Sequence, residues 1–239
     1  MIMKNNHDIL AIIPARGGSK RLPDKNILDF AGKPLIAWTI GAALKSKYIT
    51  DVIVSTDDAG IASIAKRYGA KVPFLRPDSL ASDESTTIDV VVDLVSKLSE
   101  KYKYIALLQP TSPLRTSQHI DESFEQLGDK DAVVSVVKTE HPIEWCNTLS
   151  SNKSLDNFIN VTFRNKRSQD LPDQYRINGA IYIIKTDVLL RERAFLLETG
   201  AVAYVMDRDV SIDIDQKQDF IVALMNFIGI DETIVKLNK

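Results

Sequence analysis

The stretch ILAIIPARGGSKRLPDKN, residues 9–26, gathers Arg16, Lys20, Arg21 and Lys25 around Gly17, Gly18 and Ser19. Cations beside turning backbone amides make an anion site, and a polyphosphate suits it, because each guanidinium or ammonium can take a different oxygen. The two glycines allow their N–H groups to point toward a bound ion. Lys20 can follow negative charge as it moves onto a leaving group, whereas Arg21 suits the surface or a carboxylate partner. A solvated basic turn is the plainer alternative, but such turns rarely combine Gly-Gly with this much like charge. The loop is neither of the two commonest phosphate motifs. Gly18-Ser19-Lys20-Arg21 and Gly32-Lys33-Pro34 both lack the P-loop frame, and no Gly-x-Gly-x-x-Gly follows the apolar run.

A second group of chemical interest is Ser211-Ile212-Asp213-Ile214-Asp215. In extended chain, residues two apart share a side. Ile212 and Ile214 therefore turn inward while Asp213 and Asp215 present two carboxylates together. Paired hard oxygens suit magnesium, with waters and phosphate oxygens as its other ligands. Helix capping accounts for Asp215 alone but leaves Asp213 unexplained. Asp57 and Asp58 also admit a metal reading, though helix cap and first-turn acid is the stronger one. Gln109 leads into Pro110-Thr111-Ser112-Pro113, whose prolines fix the turn that aims its amide. His7, His119 and His141 have no partner pattern and read as incidental. Neither a nucleophile triad nor a zinc-type cysteine–histidine spacing is present.

The elements needed to hold these groups follow from the hydrophobic pattern. Strands are expected at 9–15, 52–55, 72–75, 104–108, 132–137, 180–184 and 201–206. Helices are expected at 34–45, from 57 to about 68, and at 86–98, 117–127 and 215–227. Strand–helix alternation at this spacing predicts an α/β fold, a three-layer, mostly parallel, Rossmann-like sheet. Ligands on such sheets bind beyond the carboxyl ends of the strands, where Arg16 and Gln109 both fall. From 138 to 176 the pattern weakens, with polar residues scattered around Trp145, Phe158 and Phe163. So long an excursion reads as short strands in an arm that packs on a partner subunit. The whole chain, 1–239, reads as a single domain carrying that arm.

The bulk numbers fit this reading. With 239 residues, 44% hydrophobic and 26% charged, the chain can fill one large α/β core. A net charge of −2 gives no broad basic field, so nucleic acid is not expected as a partner. Cys146 is the single cysteine, which excludes an internal disulfide and suits a reducing cytoplasm. The start, MIMKNNHDIL, lacks an apolar core of signal-peptide length. The apolar runs are strand-sized, short of the ~20 residues of a membrane helix, so no membrane role is expected.

The block IPARGGSKRLPDKN resembles the signature of the acylneuraminate cytidylyltransferases, or CMP-sialic acid synthetases. The resemblance continues in RPDSLASDESTT (76–87), LLQPTSPLR (107–115), RINGAIY (176–182) and SIDID (211–215), in the family's order over most of the chain. It implies a fold of the nucleotide-diphospho-sugar transferase type, with a dimerisation arm at about 138–176 exchanged between two protomers. It also implies transfer of CMP from CTP to the anomeric hydroxyl of a nine-carbon acidic sugar, with release of pyrophosphate and with Mg2+ on Asp213 and Asp215. The sugar is N-acetylneuraminic acid or a close relative such as legionaminic or pseudaminic acid. Ala15, Arg16, Gly17, Ser19, Lys20, Lys25, Asn26, Arg76, Ser85 and Thr87 would line the nucleotide site, Asn26 and Arg76 offering donors to the acceptors of cytosine. Gln109, Arg167, Arg176, Asn178 and Tyr182 would meet the sugar, and Arg16, Lys20, Arg167 and Asp215 would carry catalysis. One departure stands out. Family members commonly show two adjacent arginines before Gln-Asp, and here the second position is Ser168, which leaves Arg167, with Arg164 and Lys166 nearby, for the sugar carboxylate. A nucleotide-binding module without turnover is the competing class, and Lys20, Asp213 and Asp215 argue against it.

Overall fold

The computed structural model describes residues 8–82 and 84–229. His7, and Asp83 of the 76–87 block, lie outside the described residues. In chain order the elements begin with β1 (Ile9–Pro14), β2 (Asp29–Phe30), β3 (Lys33–Pro34), α1 (Leu35–Lys45), β4 (Ile49–Ser55), α2 (Ala59–Arg67) and α3 (Thr87–Lys97). They continue with β5 (Tyr104–Leu107), α4 (Ser117–Leu127), β6 (Ala132–Lys138), β7 (Tyr175–Lys185), α5 (Thr186–Glu192), β8 (Ala201–Val205) and α6 (Lys217–Ile228).

Six strands form one sheet in the order β4-β1-β5-β7-β6-β8. β1 is parallel to both neighbours and β8 is parallel to β6, whereas β7 runs antiparallel to β5 and β6. Ile9 to Ile13 are all fully buried, as a strand covered on both faces requires. On one face α1, α2 and α4 bury Ile36, Ile40, Ile61 and Ile120 against Ile13, Val54 and Ile183. On the other, α3 and α5 bury Val91, Leu94 and Leu189 against Leu10, Ile12 and Leu107. α6 lies on a third cluster holding Phe30, Leu35, Leu114 and Ile214, with Phe220 edge-on to Phe30. β1 and β5 run in parallel register, Ile12 opposite Leu107, so the loops after them emerge side by side.

Several expectations change. Residues 72–75 form no strand; Lys71 makes only an isolated bridge to Ile53. The 138–176 excursion holds two single-turn helices, Ile143–Trp145 and Ser168–Asp170, and no strand between β6 and β7. Its polar stretches satisfy themselves with local turns such as Asn152 to Ser150 and Ser154. The α5 helix and the β2–β3 hairpin were too short to stand out from the hydrophobic pattern. β7 extends back to Tyr175 and contains a wide irregularity. Val134 pairs with Tyr182 and Val136 with Ile177, so the one residue Ser135 faces four, Asn178 to Ile181. Among the described residues no helix is long and apolar enough to cross a membrane.

Candidate active site

A cavity of about 620 Å³ opens where the loops after β1 and β5 meet the 211–215 segment. It is lined by Arg16, Ser19, Lys20, Lys25, Asn26, Arg76, Ser85, Thr87, Gln109, Asp213 and Asp215, all singled out from the sequence. Arg21, Leu80, Ser82 and Thr111 line it as well and were not expected there, although all fall inside or beside the quoted blocks.

The cationic loop is held differently from its expected form. Neither Gly17 nor Gly18 has a positive φ. The Gly17 N–H donates to Asp57 Oδ1 at 3.1 Å, so that amide serves the fold rather than an ion. Space at Gly17 is tight as well, because a Cβ there would lie 3.1 Å from Asp58 Cβ and Oδ2. Asp58 itself caps α2, accepting from the Ile61 N–H at 2.8 Å, which fulfils the capping reading. Ala15 is buried and its N–H donates to the Ser55 carbonyl, outside the cavity lining.

Asn26 and Arg76 form the buried floor. Arg76 donates through Nε and Nη2 to Ser55 Oγ and the Ser55 carbonyl, and burial lowers its pKa while Asp57 opposes that shift. The Asn26 Nδ2 group is already used on the Arg16 carbonyl at 3.0 Å. Its buried Oδ1 has no partner among the described residues. Asn26 therefore offers an acceptor to the cavity beside the second N–H of its amide, the donor expected from sequence.

The acidic end is tied to both loops. Lys25 Nζ reaches the Ile214 carbonyl at 2.7 Å and Asp215 Oδ1 at 3.1 Å, and Arg21 pairs with Asp215 Oδ2 at 3.0 Å. Arg21 thus has the carboxylate partner it was expected to seek. The Ile214 N–H donates to the Thr111 carbonyl, and Ile214 is wholly buried, which turns Asp213 and Asp215 toward the cavity. Burial raises the Asp213 pKa, the Thr111 side chain opposes this by donating to it, and Asp215 raises it further. Asp213 Oδ1 is buried with no hydrogen-bond partner among the described residues. An orphaned carboxylate oxygen beside a second carboxylate, both on a cavity rich in phosphate-binding cations, fits a hard divalent ion.

The expected sugar contacts divide. Gln109 lines the cavity, and its Oε1 lies so close to Gly179 that a Cβ there would approach it to 2.7 Å and Asp213 Oδ2 to 3.9 Å. Tyr182 lies half-buried beside Phe195, its phenol pKa raised by burial and by the Asp213 charge, but it does not line the cavity. Asn178, only 2% exposed, is a framework residue with its amide used inside the chain. Arg176 is exposed at the start of β7, and Arg167 stands on the 138–176 excursion. The Arg167 guanidinium is held bidentate by Asp170, at 2.9 and 3.0 Å. Neither arginine reaches the cavity of its own chain.

Residues 10–233 match the model of a family described as Cytidylyltransferase. The chain is 37% identical over 243 residues to the CMP-N,N'-diacetyllegionaminic acid synthase of Legionella pneumophila, covering 97% of each. It is 35% identical to the pseudaminic acid cytidylyltransferase of Campylobacter jejuni, over 91% of this chain and 93% of that one. It is 38% identical to the N-acylneuraminate cytidylyltransferase of Escherichia coli, over 90% of this chain but 51% of that longer protein. A solved CMP:2-keto-3-deoxy-manno-octonic acid synthetase in complex with CTP shares the fold, with a TM-score of 0.67 at 19% identity over 91% of this chain and 98% of that one.

Proposed function

Because the chain belongs to the cytidylyltransferase family, we propose that it transfers CMP from CTP to the anomeric hydroxyl of a nine-carbon acidic sugar and releases pyrophosphate. The observation that carries this reading is one cavity in which Arg16, Lys20 and Lys25, the buried Asn26 and Arg76, and the carboxylates of Asp213 and Asp215 converge.

Such phosphoryl transfer depends on positioning and charge neutralisation more than on covalent catalysis. Arg16, Ser19 and Lys20 hold the triphosphate, and Lys20 tracks the charge that builds on pyrophosphate. Ser85 and Thr87 border the nucleotide. The unpaired Asn26 Oδ1 suits the exocyclic amine of cytosine, and Arg76 suits its ring acceptors. Phosphates entering the cavity compete with Asp215 for Arg21 and Lys25, and cations drawn to the phosphates leave its oxygens open. Asp213 and Asp215 would hold magnesium, which when bound neutralises phosphate charge and acidifies the attacking hydroxyl.

The protein acts as a homodimer in this reading. Leu149, Leu155 and Val161 of the 138–176 arm expose apolar side chains, Val161 by 76%, and the neighbouring Tyr175 and Ile177 are exposed as well. A partner covering them would bring Arg167 to the other protomer's cavity, where it would bind the sugar carboxylate in place of Asp170. The protein would work in the cytoplasm. Legionaminic-type sugars are the first to test, since the similarity to the Legionella synthase spans nearly the full length of both chains and Ser168 leaves room where the resembled family has a second arginine.

The test is pyrophosphate release from CTP with N-acetylneuraminic, legionaminic and pseudaminic acids in turn. Turnover with one of them at least tenfold above the others names the sugar. CTP binding without turnover on any acidic sugar would make the protein a nucleotide-binding module instead.

A further inference from the structure

Among the described residues Arg115 is the largest fully buried side chain, and no carboxylate among them compensates it. Its Nη1 donates to two backbone carbonyls, Gln109 at 3.1 Å and Ala180 at 2.9 Å. Its Nε and Nη2 have no partner among the described residues, and the Ser112 Oγ, three residues earlier, is likewise buried and unpartnered there. An unpaired buried cation is expensive, and a well-packed apolar side chain would fill the same space more cheaply. What an apolar residue cannot do is join those two carbonyls.

The two carbonyls flank the point where Gln109 meets the β7 bulge. Gly179, at φ +78°, packs on Gln109 Oε1, and Ala180 follows it. The bulge removes four residues from ladder pairing, so their backbone groups need side-chain partners. The Ser135 hydroxyl donates to Asn178 Oδ1 at 2.6 Å and accepts from the Ile181 N–H at 2.8 Å. Asn178 Oδ1 also accepts from the Ala180 N–H, and its Nδ2 donates to Ser211 Oγ at the head of the acidic segment. Arg115 takes the remaining Ala180 carbonyl.

We propose that Arg115 is a positioning residue, which with Ser135 and Asn178 frames the bulge and so sets the Gln109 amide against Gly179 and Asp213. Arg115 acts through Gln109 and touches no substrate. The kinetic consequence rests on the reading of Gln109 as a sugar contact, while the positioning itself does not.

The experiment uses full-length Arg115→Lys, which keeps the charge but replaces the planar fork with a compact ammonium. The side-chain amide resonances of Gln109, assigned by their loss in Gln109→Ala, report its setting without any substrate. Arg115→Lys is expected to shift them, to lower sugar kcat/KM by roughly tenfold, and to leave CTP affinity within about twofold. Arg115→Lys combined with Gln109→Ala is expected to be no worse than Gln109→Ala alone, since residues acting as a unit are non-additive. Unchanged Gln109 resonances, or losses that add, would overturn the proposal. Shifted resonances with normal sugar kinetics in Gln109→Ala would uphold the positioning and retire Gln109 as a sugar contact. Should Arg115→Lys fail to fold, Ser135→Ala opens the same frame from the opposite strand, and the same resonances decide.

Discussion

Replacing Gly179 by Ala tests the sugar end of the cavity with a single methyl group. The residue has φ +78°, a region that costs an L-amino acid about 1–2 kcal/mol. A domain of this size loses roughly 2–4 °C of Tm per kcal/mol, so strain alone predicts a drop of roughly 2–8 °C. The added Cβ would also sit 2.7 Å from Gln109 Oε1, closer than such atoms approach, and the Gln109 amide is the part free to move. Displacing it removes one substrate hydrogen bond, worth about 1 kcal/mol, or a roughly five- to tenfold loss of sugar kcat/KM. Gly32→Ala separates the two effects, because Gly32 has φ +82° with nothing within 4 Å of an added Cβ. That variant should lose similar stability and keep its kinetics. The assay is pyrophosphate release with sugar varied at saturating CTP, beside thermal melts of both variants. If Gly179→Ala melts like Gly32→Ala yet retains the full sugar kcat/KM, Gln109 does not contact the sugar from the position seen here.

Other perturbations probe other parts of the site. Asp215→Asn should fold normally and lower kcat by ~10²-fold or more, with a higher magnesium requirement; near-normal rates in both this variant and Asp213→Asn would defeat the metal assignment. Arg167→Ala should lower sugar kcat/KM by ~10²-fold with CTP binding intact, and mixing it with Asp215→Asn subunits should restore activity, because a mixed dimer retains one site with both residues; no recovery on mixing, with exchange of subunits verified, refutes the exchanged arm. His119 gives a pH dependence of stability. Its Nδ1 accepts from the Thr116 N–H at 3.2 Å in the α4 capping box, and burial depresses its pKa, with Arg115 adding to this and Glu122 and Asp207 opposing. The folded state then binds fewer protons than the unfolded one, so stability is full above the ordinary histidine value near 6.5 and falls as pH drops below it toward the depressed folded value. His119→Gln keeps a capping acceptor without the titration, so its urea midpoint should fall less than wild type between about pH 7 and about pH 5; equal falls would exclude the cap as the cause.

What could be read from the sequence depended on how local its cause was. β1 was legible because an unbroken apolar run has few other uses than a strand buried on both faces, and its end at Pro14 fixed where the cationic loop begins. Asp213 and Asp215 were legible because alternation with Ile212 and Ile214 sorts carboxylates from apolar residues whatever the rest of the chain does, and Ile214 is indeed wholly buried. The 72–75 strand was misread because a short apolar run next to Lys71 carries no information about whether a ladder partner is available. Asn26 shows a finer limit. Its place on the cavity was readable, but not that one of its two amide N–H groups is spent on the Arg16 carbonyl, which only the folded loop brings within reach.

The harder cases are polar residues inside recognisable blocks. Asn178 and Arg115 each belong to a stretch that looks like a binding motif, and a polar side chain in such a stretch invites a substrate role. Composition cannot reveal that β7 gains residues opposite Ser135, because that mismatch exists only once β6 and β7 are in register. A bulge of this kind generates backbone donors and acceptors that need partners, and Asn178 and Arg115 meet that need. The same mismatch brings Gly179 against Gln109, so the site's geometry and its internal polar network have one origin. A residue that holds a bulge and one that packs on a cavity-lining side chain can therefore be neighbours in one short motif, as Asn178 and Gly179 are here. Internal engagement separates them: the Asn178 amide is fully used by its neighbours, whereas Gln109 and Asp213 line the cavity and Asp213 keeps an unpartnered oxygen.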